Sequence, residues 1–138
     1  PEGMNSFNHY AAASVLEWIY SDVCGLNPVE EFPGFQKVLL KPNPHPDLQY
    51  AQASHLSPMG KFESGWKFEM KSIIYTFTVP FNAEAKVVIP NTKKADVEQS
   101  DVELEQQGDD LVGYVQSGKY TIRYVYTNPE YSLPHKFI

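Results

Sequence analysis

Apolar residues crowd almost the whole circumference of one predicted helix near the start of the chain, then alternate with polar residues in short runs. The helix spans Ser6 to Val23, without a proline and with Ala11, Ala12 and Ala13 favouring it. Asn5 or Ser6 is placed to cap its first amides, and Gly25 to stop it in a left-handed turn. Ser14, Glu17 and Ser21 form one narrow polar stripe, while Phe7, Tyr10, Val15, Leu16, Trp18, Ile19, Tyr20 and Val23 fill the other faces. A helix this apolar needs neighbours on several sides, and the rest of the sequence offers at most one sheet face. It is therefore predicted to belong to a helical assembly whose other members are not in these residues.

After Gly25 the texture changes. Asn27-Pro28, Phe32-Pro33-Gly34 and the stretch Pro42 to Pro46 read as turn and linker material. Strand-like runs follow near Gln36–Lys41, Leu48–Leu56, Lys61–Glu69, Ile73–Val79, Ala85–Ile89, Val102–Glu105, Leu111–Val115 and Tyr120–Tyr126. Ala85, Val87 and Ile89 share one face of their run, as do Ile122, Tyr124 and Tyr126. Pro58-Met59-Gly60 and the Gln107–Asp110 segment read as hairpin turns, and Pro80 and Pro90 each end a strand. About eight short strands at intervals of about 8–12 residues predict a mainly β fold, an antiparallel sandwich or jelly-roll. No internal repeat interrupts this plan.

Composition narrows the function classes. In 138 residues, hydrophobic types make up 42% and charged types 20%, which describes a folded chain and not a disordered one. The net charge of −6 argues against a nucleic-acid binder, which needs a basic surface to meet phosphates. No apolar run approaches the roughly 18–20 residues of a membrane-spanning helix. Cys24 is the single cysteine, so an internal disulfide and a cysteine-based zinc site are both ruled out. The chain begins at Pro1 instead of Met, as expected at a processing boundary, and the compartment stays open.

The residues that could carry chemistry are few. His9, His45, His55 and His135 show no metal-ligand spacing, and no cofactor motif is present. His9 stands in the first helical turn beside Asn8, where free amides and the helix dipole make a polar edge. It can donate a hydrogen bond to a sugar hydroxyl, or it can tie off the helix end with Asn8. Glu17 lies on the polar stripe, Glu30-Glu31 and Asp109-Asp110 read as surface loops, and Asp96 to Glu105 reads as the wet face of an edge strand. Ser57, Ser64 and Ser117 lack a partner base. None of these makes an acid–base pair. Trp66 could stack on a sugar, but its alternation with Phe68 suits a core position.

The run Met4 to Ala11, followed by Val15, Glu17-Trp18, Tyr20 and Gly25-Leu26, resembles the end of the catalytic domain of bacterial α-L-rhamnosidases of glycoside hydrolase family 78. Pro33-Gly34-Phe35, Val38 to Pro42, Ser57 to Lys61, Trp66, Val79-Pro80, Ile89-Pro90 and Ser117 to Tyr120 are similar to its closing β-domain. The resemblance implies an (α/α)6 barrel that removes terminal α-L-rhamnose with inversion, using one carboxylic acid and one carboxylate. In that family both groups precede the Asn-His-Tyr element, so no catalytic residue is expected in this chain and the 138 residues alone should be inactive. The histidine of the element contacts sugar in the family and falls on His9, with Asn8 and Tyr10 as supports.

The expected organisation is a terminal barrel helix over residues 1–26 and an accessory sandwich over 27–138. Its expected partners are an upstream barrel of the same polypeptide and rhamnose-containing glycans, with no cofactor, metal, nucleic acid or membrane. Enzymes of this kind are commonly exported. Two other readings stay open: an independent carbohydrate-binding module, and a structural domain whose exposed helix pairs with a second copy.

Overall fold

The computed structural model describes residues 18–32 and 35–127. A six-residue π-helical turn, Trp18–Val23, leads into ten strands. These are β1 (Leu26–Phe32), β2 (Phe35–Leu40), β3 (Tyr50–Ser57), β4 (Gly60–Glu69), β5 (Ser72–Val79), β6 (Ala83–Ile89), β7 (Val97–Ser100), β8 (Glu105–Gln107), β9 (Asp110–Val115) and β10 (Gly118–Val125). They form two five-stranded sheets, one in the order β1-β2-β6-β9-β8 and the other β3-β4-β5-β10-β7. All pairings among the described residues are antiparallel except β2 with β6.

Both sheets contribute to one core, so the predicted mainly β sandwich is the observed architecture. Strict alternation builds it. Along β5, Ile73, Tyr75, Phe77 and Val79 point inward, and along β6 Ala85, Val87 and Ile89 do the same. Tyr75 stacks on Phe77 with ring centroids 4.9 Å apart, and Phe77 stacks on Tyr120 at 5.3 Å. Trp66 is 2% exposed and belongs to this core, which is the role its alternation with Phe68 suggested.

Each open side of the sandwich is plugged by a crossing segment. On the β1/β3 side, Val23 and Cys24 are fully buried where the chain enters. On the β7/β8 side, residues 101–104 cross from one sheet to the other and bury Val102 and Leu104. Gly113 faces that crossing: a Cβ there would lie 2.7 Å from Val102 Cγ1 and 2.9 Å from the Glu103 carbonyl oxygen. The glycine lets the segment approach closely.

Two strand expectations need correction. Asn27-Pro28 is not linker but part of β1, where a register shift between Pro28 and Glu30 absorbs the proline. Val102–Glu105 is not a strand; strand β8 begins at Glu105, and the alternation of Val102 and Leu104 serves the crossing instead. Val97–Ser100 is edge strand β7, inside the Asp96 to Glu105 stretch whose acidic alternation reads as the wet face of an edge strand. Pro58 and Gly60 do frame the β3–β4 hairpin, and β5 and β6 do end at Val79 and Ile89, just before their prolines.

Candidate functional site

Among the described residues, the fully buried side-chain hydrogen bonds gather where the helical turn meets the sandwich. A helix leaves its last carbonyls without partners inside the helix. Here the sandwich supplies them. Asn27 Nδ2 donates to the Ser21 carbonyl (3.1 Å), and Trp66 Nε1 donates to the Val23 carbonyl (3.0 Å). The Val23 carbonyl also accepts from the Asn43 amide at 3.0 Å. Ser64 Oγ donates to the Cys24 carbonyl at 2.7 Å and shares a 2.8 Å hydrogen bond with the Tyr75 hydroxyl.

Gly25 then turns the chain with φ +69°, the left-handed stop its position in the sequence predicted. A Cβ at Gly25 would fall 1.8 Å from the Lys41 carbonyl oxygen, while the Lys41 amide donates to the Gly25 carbonyl at 2.9 Å. The helix end is thus held from strands β1, β4 and the β2–β3 connection at once.

Burial sets the ionisation of this junction. It pushes the Tyr75 hydroxyl well above its ordinary range, although the bond from Ser64 opposes the shift. It also pushes the Cys24 thiol from 9.0 up to about 12. The unfolded chain therefore ionises first. The thiol's contribution to stability is complete below pH 9.0 and is lost as pH rises toward about 12. Iodoacetamide at about pH 8.5 is expected to leave Cys24 unmodified in the native protein and to alkylate it readily in urea, because only an exposed thiolate reacts. Fast modification of the native protein, read by mass spectrometry, would mean that the junction opens.

The two outer sheet faces carry shallow clefts. One, of about 310 Å³, crosses β3, β4, β5 and β10; Gly65 lies at its centre, bordered by Gln52, Glu63, Lys67, Thr76 and the 72% exposed Tyr50. The other, of about 540 Å³, lies over β2, β6 and β9 between Leu39, Ala85, Lys86 and Tyr114. Beside the first, Arg123 bridges Glu69 (3.0 Å) and Glu98 (3.3 Å), and Ser72 donates to Glu98. These are exposed ion pairs of small energetic weight.

The structure distributes the residues flagged in the sequence as follows. His9, Asn8, Tyr10, Glu17 and His135 lie outside the described residues. His45 stands in the β2–β3 loop and His55 on β3, both half-buried. Glu30-Glu31 lies in β1 and not in a loop. Asp109 and Asp110 do sit at the β8–β9 turn, accepting from Lys93 Nζ and the Asn91 amide respectively. The Asp96 to Glu105 stretch runs through β7, the crossing and the start of β8; Glu98, Asp101, Glu103 and Glu105 are all exposed, as a wet face requires, and Asp101 Oδ2 accepts from the Thr121 amide. Ser57 ties its own hairpin through Gly60 and Met59. Among the described residues no three of His, Cys, Asp and Glu come together to hold a metal. The Ser64–Tyr75 pair was missed, although Ser64 interrupts the inward series Phe62, Ser64, Trp66, a signal for a buried polar partner.

Fold and junction define the class: a two-sheet β-sandwich domain that clamps the end of a helical turn. Residues 25–103 match the bacterial α-L-rhamnosidase C-terminal domain, and the chain belongs to that family. It is 36% identical over 90 residues to an α-L-rhamnosidase of Alteromonas sp., a match covering 65% of this chain and 10% of the relative. An α-L-rhamnosidase of Streptomyces avermitilis is 37% identical over 87 residues, 63% of this chain and 8% of that protein. The crystal structure of a Streptomyces avermitilis α-L-rhamnosidase complexed with L-rhamnose superposes with a TM-score of 0.69 at 28% identity, over 85% of this chain and 11% of the other. The chain thus spans about a tenth of the length of the relatives it matches.

Proposed function

We propose that this chain works as the C-terminal portion of an inverting α-L-rhamnosidase acting on glycans that end in α-L-rhamnose. Residues 1–26 form the last helix of its (α/α)6 barrel and 27–138 its accessory sandwich. The acid and base carboxylates come from the barrel upstream in the same polypeptide, set apart to admit a water as inversion requires. His9 donates a hydrogen bond to a hydroxyl of the bound sugar, and Asn8 and Tyr10 support it. The observation that carries this reading is the family match over residues 25–103. The clamp agrees with it, since a sandwich that satisfies the carbonyls of a helix end is built to hold that helix in place.

The test compares two proteins on an aryl α-L-rhamnoside. The 138 residues alone are expected to give no turnover. In the polypeptide that includes the barrel, His9→Ala is expected to lower kcat/KM about tenfold to a hundredfold, the loss of one or two hydrogen bonds to substrate, with unchanged thermal stability. Turnover by the 138 residues, or an unchanged kcat/KM in the variant, overturns the reading.

A further inference from the structure

We infer that the outer face of the β3-β4-β5-β10-β7 sheet binds a saccharide strand carrying carboxylate groups, so that the glycan acted on is an acidic one. The inference rests on the proposed rhamnosidase activity for the rest of that glycan, and adds to it a second place where the glycan is held.

The cleft of about 310 Å³ on this face owes its depth to a missing side chain. Gly65 stands in the middle of β4, where a glycine weakens the strand and marks a place that something else approaches closely. Its backbone is not left-handed, so space and not conformational freedom accounts for it. A Cβ there would meet Gln52 Cγ at 3.0 Å and the Ala51 carbonyl oxygen at 3.2 Å, so the gap lets the Gln52 side chain lie across from β3. The register places Gln52, Gly65 and Thr76 in one row over three strands, a low floor. Tyr50, 72% exposed and paired with Lys67, rises beside it.

The charges around this floor are unequal. Lys67 and Lys119 are exposed, and among the described residues neither is in an ion pair. Glu63, which also lines the cleft, is offset by Lys61 at 4.0 Å, and Arg123 holds Glu69 and Glu98 nearby. Two uncompensated positive charges thus border a cleft in a chain of net charge −6. Lys119 pairs with Thr78 and Thr78 with Glu63, which is four residues before Lys67 along β4. The two lysines therefore stand about 13 Å apart along the strands and about 10 Å apart across them. A strand of several sugars reaches both, and a single sugar does not.

Between the lysines the chemistry suits a polyhydroxy ligand. The Gln52 amide and the Thr76 and Thr78 hydroxyls can each donate and accept, and the Tyr50 ring offers a surface to the apolar face of a sugar. A nucleic acid would need a far more basic surface, and a peptide strand would add to a sheet edge and not lie on its face.

The test uses the barrel-containing polypeptide with its rhamnose site saturated by L-rhamnose, so that binding elsewhere is read. Calorimetric titration with tetragalacturonate is expected to show binding, and the carboxyl-reduced form of the same tetrasaccharide to bind at least about fivefold more weakly. Lys67→Gln combined with Lys119→Gln is expected to raise the tetragalacturonate Kd about fivefold to twentyfold, and Tyr50→Ala about threefold to tenfold. Melting temperature and kcat/KM for an aryl α-L-rhamnoside should not change in either variant, because all three side chains are exposed. Absence of tetragalacturonate binding, equal affinity for the neutral strand, or unchanged affinity in either variant overturns the inference. Failure of the parent polypeptide to hydrolyse the aryl rhamnoside sinks the proposed activity instead, and the titrations then decide the saccharide site by themselves.

Discussion

Gly25→Ala is expected to cost about 3–5 kcal/mol of folding free energy, a large share of the roughly 5–15 kcal/mol that holds a typical domain folded. Two costs combine. A residue with a Cβ at φ +69° carries the left-handed penalty, about 1–2 kcal/mol. The added methyl would also sit 1.8 Å from the Lys41 carbonyl oxygen and 2.7 Å from the Pro42 nitrogen, which are backbone atoms. They can retreat only by breaking the Lys41 to Gly25 and Asn43 to Val23 hydrogen bonds, at 2.9 and 3.0 Å, that fix the junction. The urea midpoint of the variant, at unchanged m-value, measures the loss. A cost below about 1 kcal/mol would show that the junction yields without penalty.

Phe77→Ala is expected to be of similar size, about 3–5 kcal/mol, for a different reason. Its side chain is fully buried in the middle of an aromatic row, between Tyr75 at 4.9 Å and Tyr120 at 5.3 Å. Truncation removes the transfer energy of the ring, opens a cavity and ends both stacked contacts, each pair adding about 0.5–1.5 kcal/mol. Tyr120 has limited room to collapse inward, because its hydroxyl donates to the Gln116 carbonyl at 2.9 Å. Phe77→Leu, which refills most of the volume, should lose about half as much or less. Thermal denaturation of both variants settles the comparison. Equal losses would mean that the stacking geometry, and not the filled volume, holds the row.

The sequence was most informative where burial is one-sided. In β6 and β10, alternation named the inward residues Ala85, Val87, Ile89, Ile122 and Tyr124 without help from tertiary structure. It was misleading where a polar or cyclic residue is tolerated for positional reasons. Pro28 reads as a breaker, yet β1 is an edge strand and places it at a register shift. Val102 and Leu104 alternate like strand residues, but an extended segment crossing between sheets uses the same period to bury the same side chains. The four-residue β7 has a single apolar residue, so only its acidic alternation marks it as an edge strand, and that pattern runs on past the strand's end into the crossing.

The clamp was legible in part. Gly25 announced the helix stop, whereas the donors lie 40 and 43 residues away from the carbonyls they serve, a pairing no local pattern encodes. His9, the residue singled out for sugar contact, lies outside the described residues.

The way the sheets end bears on the solubility of the domain. An exposed strand edge is a template for adding a strand from another molecule. Among the described residues, three of the four sheet edges are blunted: β1 by Pro28 and its register shift, β7 and β8 by being only four and three residues long. The fourth, β3, runs eight residues and carries the largely exposed Tyr50 and Leu56. Among the described residues, the helical turn Trp18–Val23 packs against it on the side away from its partner strand β4. The same short segment that joins the sandwich to what precedes it therefore also guards its most adhesive border. A shortened chain lacking that turn would be left with an edge suited to intermolecular β-pairing and aggregation.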